Sequence, residues 1–129
     1  MKFSHLFATV LLVAMPVFAG QALADGDADK GKKVFNKCRT CHNADVEKNK
    51  VGPSLLGLFG RHAGSVEGFK YSDAMKNADI VWDKETVEEY VKDPKGFIPG
   101  NKMAFVGIKD EDQLEDLLAY LEEATKKPQ

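Results

Sequence analysis

Cys38-Arg39-Thr40-Cys41-His42 decides how this chain folds. Two cysteines separated by two residues and followed directly by a histidine form the c-type haem attachment signature. Each thiol adds to a vinyl group of haem as a thioether, and the adjacent imidazole binds the iron. A bare Cys-x-x-Cys would also suit a redox dithiol or half a zinc site, and His42 tips the choice to haem. These are the only two cysteines among 129 residues. Zinc needs three or four protein ligands, and past residue 24 the thiol and imidazole donors are Cys38, Cys41, His42 and His62. A thioredoxin-like dithiol would want a βαβ pattern around it, and none is visible. A disulfide across two residues would add little loop-closure stabilisation, whereas covalent haem gives both thiols a use.

The length suits one domain with a modest core. Its start reads as a secretory signal peptide: Lys2 supplies the positive end, Leu6 to Phe18 is apolar but broken by Pro16, and Ala22-Leu23-Ala24 is a small-x-small cleavage site. The expectation is a cleaved leader over 1–24 and a folded domain over 25–129, exported to a bacterial periplasm. The apolar run is short for a bilayer span. Lys and Arg number 18 against 20 Asp and Glu, a net charge of −2 that becomes −3 once cleavage after Ala24 removes Lys2. That balance argues against nucleic acid as a partner.

Asp27 and Asp29 favour a helix N-terminus, and Gly31, Val34, Phe35 and Cys38 follow at helical spacing, so an amphipathic helix should lead into the haem motif. From Asn43 to Gly68, glycines and Gly52-Pro53 signal loop. Leu55, Leu56, Leu58 and Phe59 among them suggest irregular backbone folded over an apolar body, either a porphyrin or a small core under an Ω-loop. Ser72 and Asp83 each cap a predicted helix, the second ending before Pro94. Asp93 to Gly107 should be a loop. Asp110 and Gln113 resemble a capping box, opening a helix with an apolar stripe of Leu114, Leu117, Leu118 and Leu121. The fold class is all-α, one domain of short helices and long loops, with haem taking part in the core. Loops this long count against a small domain unless such a body lies inside.

Iron held by His42 has one further axial position, and His62, Met75 and Met103 are the candidates. Met103 sits in a turn-rich loop where a side chain can be aimed rather than packed. Spacing alone puts it ahead and leaves the other two open.

Over nearly all of residues 28 to 126 the chain resembles a class I cytochrome c, similar to mitochondrial cytochrome c and its soluble bacterial relatives. Gly31-Lys32-Lys33-Val34-Phe35 is similar to the N-terminal helix of that family. Gly52-Pro53 with Gly57-Leu58-Phe59-Gly60-Arg61 resembles its proline loop. Trp82, Tyr90 and Asp93-Pro94-Lys95 fall at matching intervals, and Pro99-Gly100-Asn101-Lys102-Met103-Ala104-Phe105 resembles the methionine-ligand loop. Leu117-Leu118-Ala119-Tyr120-Leu121 looks like the C-terminal helix that crosses the first. The resemblance implies haem c held through Cys38 and Cys41, with His42 and Met103 as axial ligands. It implies that the Pro53 carbonyl takes the His42 N–H, that Tyr90 approaches the Met103 sulfur, and that Arg61, Tyr71 and Trp82 meet the propionates. Gly31 would let the terminal helices cross, with Phe35 and Tyr120 packing there. Met75 and Asn101 depart from the mitochondrial pattern, which has asparagine and threonine at those positions.

Two protein ligands leave the iron no open position, so the implied function is a soluble, monomeric one-electron carrier and not an enzyme. The family suggests a cytochrome bc-type complex as donor. It suggests a terminal oxidase, photosynthetic reaction centre or denitrifying reductase as acceptor. Lys37, Lys50, Lys95, Lys102 and Lys109 flank the segments expected around the haem edge, while Asp110, Glu111, Asp112, Glu115, Asp116, Glu122 and Glu123 load the last helix with the opposite sign. That separation would steer docking despite the negative net charge.

Overall fold

Six helices and long connecting loops make up residues 26–129, the part of the chain described by the computed structural model. The expected leader over 1–24 lies outside these residues. Among them, no helix is long and apolar enough to cross a membrane, and extended pairing is confined to one antiparallel bridge between His62 and Val81.

The predicted first helix is present but divided. α1 covers Ala28–Val34, capped by the Asp27 carboxylate on the Asp29 and Lys30 N–H groups, and α2 covers Asn36–Arg39. At the junction the Cys38 N–H reaches the Phe35 carbonyl at 2.8 Å, an i→i+3 bond that tightens the turn. The same tightening carries Cys41 onto the Cys38 carbonyl at 3.0 Å and brings His42 over it at 2.9 Å. Both thiols and the imidazole are thereby gathered at the end of one short helical segment.

α3, Asp73–Lys76, is capped by the Ser72 hydroxyl, and α4, Lys84–Lys92, opens with a full capping box between Asp83 and Thr86. The expected loop after Asp93 contains a further helix instead, α5 over Pro94–Phe97. Its cause is local: Pro94 takes the first helical position, where no N–H is needed, and the Asp93 carboxylate accepts from the Gly96 N–H. α6, Glu111–Ala124, is capped by Asp110 accepting from the Gln113 N–H, but Gln113 does not complete the box. Its amide oxygen takes the Lys37 ammonium at 3.3 Å.

α6 organises the core. Leu114, Leu117, Leu118 and Leu121 are all buried, as the spacing predicts, together with Phe35, Leu58, Trp82, Val87, Ile98 and Ile108. α1 lies across α6, with the Phe35 and Tyr120 rings 5.3 Å apart. A Cβ on Gly31 would sit 1.8 Å from the Asp116 carbonyl oxygen, so the two backbones meet where only hydrogen fits. Behind them, the Gly57 N–H donates to the Thr125 carbonyl at 2.6 Å, tying the glycine-rich loop to the end of α6. The long loops are thus held to a helical frame around one interior cavity.

Candidate haem site

That cavity, about 250 Å³, draws its walls from segments spread between Phe35 and Leu121. Cys38, Cys41 and His42 come from the end of α2, and Val51, Gly52, Pro53, Leu55 and Leu58 from the loop beyond it. Met75 comes from α3, Val87, Tyr90 and Val91 from α4, Asn101 to Phe105 from the loop before α6, and Leu117 and Leu121 from α6 itself. Leu55 and Leu58 face it as the loop composition suggests, whereas Phe59 packs against the core. The cavity is lined by Lys37, Arg61 and Lys102 and by no aspartate or glutamate.

The imidazole is set by its neighbours. His42 Nδ1 donates to the Pro53 carbonyl at 2.8 Å, which fixes the tautomer and leaves Nε2 as the basic nitrogen. Gly52 is buried beside the ring, and a Cβ there would lie 2.3 Å from His42 Cε1. Burial pulls the His42 pKa down, the Pro53 bond opposes this, and Arg61 and Lys50 add to the fall. The ring is held as a neutral donor. Burial also pushes the Cys38 thiol up to about 11, with Cys41 beside it adding to the rise. A thiol so reluctant to ionise is unlike the low-pKa cysteine of a redox dithiol. Among the described residues, no group of three or more His, Cys, Asp or Glu side chains is placed to hold a metal ion by itself.

Of the three candidates for the second axial position, Met75 and Met103 line the cavity and His62 does not. His62 is exposed and pairs with Val81. Met103 is partly buried, and its backbone N–H donates to the Asn101 side chain at 3.0 Å.

Arg61, Tyr71 and Trp82 all reach the cavity. One Arg61 nitrogen donates to the Ser54 carbonyl at 2.9 Å and the Leu56 carbonyl at 3.3 Å, and burial lowers its pKa. The Tyr71 hydroxyl accepts from the Val66 N–H at 3.1 Å. Trp82 is buried with its ring 5.2 Å from that of Tyr90. Burial pushes the Tyr90 phenol up to about 12. Its hydroxyl donates to Asn101 Oδ1 at 3.2 Å.

The donor set suits a haem. Two thiols and an imidazole lie within five residues, the wall is mainly apolar, and the charged groups on it are cations that can meet propionates. A glycine supplies the space beside the imidazole that a Cβ would fill. Comparison with known proteins agrees, since the cytochrome c family profile matches residues 28–125. The chain belongs to the cytochrome c family. It is 54% identical over 98 residues to cytochrome c2 of Blastochloris viridis, covering 75% of this chain and 77% of the relative. Cytochrome c-550 of Nitrobacter winogradskyi is 50% identical over 102 residues, covering 78% and 94%. Among solved structures, cytochrome cH from Methylobacterium extorquens superposes with a TM-score of 0.71 at 44% identity, covering 75% of this chain and 98% of that one. As a cytochrome c, this chain carries covalent haem c and transfers electrons; it is not an enzyme.

Asn101 is the residue at this site whose part the sequence did not disclose. Its departure from the mitochondrial pattern points to altered buried hydrogen bonds near the haem but not to their partners, which lie on three separate segments.

Proposed function

We propose that the chain is a periplasmic carrier in which Cys38 and Cys41 hold haem c covalently and His42 and Met103 are the axial ligands. Pro53, Arg61, Tyr71, Trp82 and Tyr90 complete the site. When bound, the haem supplies a one-electron couple between ferrous and ferric iron. The observation that carries this reading is the 2.8 Å bond from His42 Nδ1 to the Pro53 carbonyl, which commits one ring nitrogen and reserves the other as a ligand. Pro53 thereby orients the donor, Gly52 gives it room, and Arg61 brings positive charge to the apolar wall. Closure by Met103 excludes substrate, so the residues around the site only stabilise one oxidation state relative to the other.

The test is an absorption spectrum of the purified holoprotein, with the mass of the denatured chain. Expected are a Soret band that survives denaturation, a six-coordinate low-spin spectrum and a weak red sulfur-to-iron band in the ferric form. A five-coordinate spectrum would overturn the ligation, and a colourless product would overturn the whole reading.

The sign of the docking surface follows from charge, and the partner classes are those the family resemblance implies. The ammonium groups of Lys37, Lys50, Lys95, Lys102 and Lys109 are each bonded to a neutral amide oxygen: Gln113 Oε1, and the carbonyls of Arg39, Asn101, Lys70 and Lys92 respectively. Such bonds order long side chains without neutralising them, which lowers the entropy cost of docking on an acidic surface. The proposed donor is a cytochrome bc-type complex. A terminal oxidase, photosynthetic reaction centre or denitrifying reductase is the proposed acceptor. The electron-transfer rate with an acidic partner is expected to fall by about tenfold between low and physiological salt. Stopped-flow kinetics against ionic strength measures this, and a flat profile would count against the lysine surface.

A further inference from the structure

One buried amide ties the Met103 backbone to α4 and α5. Asn101 is 4% exposed. Its Nδ2 donates to the Pro94 carbonyl at 2.7 Å and the Ile98 carbonyl at 2.8 Å. Its Oδ1 accepts from the Met103 N–H at 3.0 Å and from the Tyr90 hydroxyl at 3.2 Å. The backbone is bound too: the Asn101 N–H donates to the Ile98 carbonyl at 3.1 Å, and the Lys95 ammonium donates to the Asn101 carbonyl at 2.6 Å. Both donors and both acceptor positions of the side chain are used. Its orientation follows from the partners, since two carbonyls need the NH₂ and the Met103 N–H needs the oxygen.

A phenol has one proton, and that of Tyr90 is committed to Asn101. It therefore cannot also be donated to the Met103 sulfur. Threonine, which stands here in the mitochondrial pattern, has a single O–H and could not span the Pro94 and Ile98 carbonyls while also holding Met103. The asparagine joins α4, α5 and the methionine loop through one planar group.

We propose that Asn101 is the positioning residue for Met103, and that Tyr90 acts on the methionine through Asn101 rather than by a bond to its sulfur. This rests on Met103 being an axial ligand. Freed of the amide, the loop would open locally, and the sulfur would yield its position to an external ligand sooner.

The experiment uses ferric holoprotein without denaturant and follows imidazole capture by loss of the red sulfur-to-iron band. Asn101→Ala is expected to speed capture by about tenfold or more, since several buried hydrogen bonds are lost together. Asn101→Thr should fall between the two, and it keeps the test open where the alanine variant fails to fold. Tyr90→Phe should also speed capture, and its effect should vanish in the Asn101→Ala background. Capture at the parent rate in the Asn101 variants would overturn the positioning role. A Tyr90→Phe effect that persists undiminished in the Asn101→Ala background would show that Tyr90 acts on the sulfur directly. Absence of the red band in the parent protein would refute the Met103 ligation, and this inference with it, a result distinct from a normal parent with insensitive variants.

Discussion

Met103→Ala is expected to lower the midpoint potential by roughly 0.2 V, a fraction of the ~0.8 V range that axial ligation commands. A thioether is a soft donor that favours the ferrous state, so losing it favours ferric iron. At about 59 mV per decade for one electron, such a fall shifts the exchange equilibrium with a fixed partner by more than a thousandfold. Electron delivery from the same donor should fail accordingly. The variant should also bind imidazole or cyanide readily and lose the red ferric band. Met75 makes the comparison demanding, because it lines the same cavity. It lies partly buried on the four-residue α3 and packs against the core. Met75→Ala should therefore keep the band and the six-coordinate spectrum. Spectroelectrochemistry of the two variants decides between the methionines, and the reverse pattern would move the ligand to Met75.

The parts of this site that could be read from the sequence are those set by short-range geometry. Cys38, Cys41 and His42 sit within one helical turn and its continuation, so their spacing alone brings them together. The stripe of leucines on α6 follows from its period, and all four are buried. α5 was missed because Pro94 and Gly96 look like loop residues until the Asp93 carboxylate is seen to cap them. Tyr90 lines the cavity, but where its proton goes is not legible in the sequence. Its hydroxyl and the Asn101 amide are eleven residues apart, and the competition between amide oxygen and sulfur is settled only by packing. The same holds for the lysines: their positions were legible, whereas the carbonyls that order them were not. Resemblance to the family supplied Pro53 and Gly31, whose physical reasons became visible only in contact with His42 and Asp116.

Gly31→Ala should cost about 3 kcal/mol, at the upper end for an overpacked core site. The added methyl carbon would lie 1.8 Å from the Asp116 carbonyl oxygen, 2.5 Å from its carbon and 2.8 Å from Tyr120 Cβ. The first two are backbone atoms of α6, so no rotamer change relieves the clash and the helices must separate. Gly26 allows no compensating tilt: a Cβ there would sit 2.2 Å from the Glu115 carbonyl, and the neighbouring Asp27 N–H donates to Asp116 Oδ1 at 2.7 Å. Separation would expose Leu117 and Leu121, which line the cavity as well as the core. The loss should thus reach the site as well as the melting curve. Expected is a fall in Tm of about 12 °C or more, with weakened capture protection at Met103. Gly68→Ala is the control, because Gly68 has φ +75° but no atom within 4 Å of the new carbon. It should cost only about 1 kcal/mol, from left-handed backbone strain. If thermal melts of the two holoproteins showed Gly31→Ala to be the milder change, close approach of α1 and α6 would not be what holds the ends of this chain together.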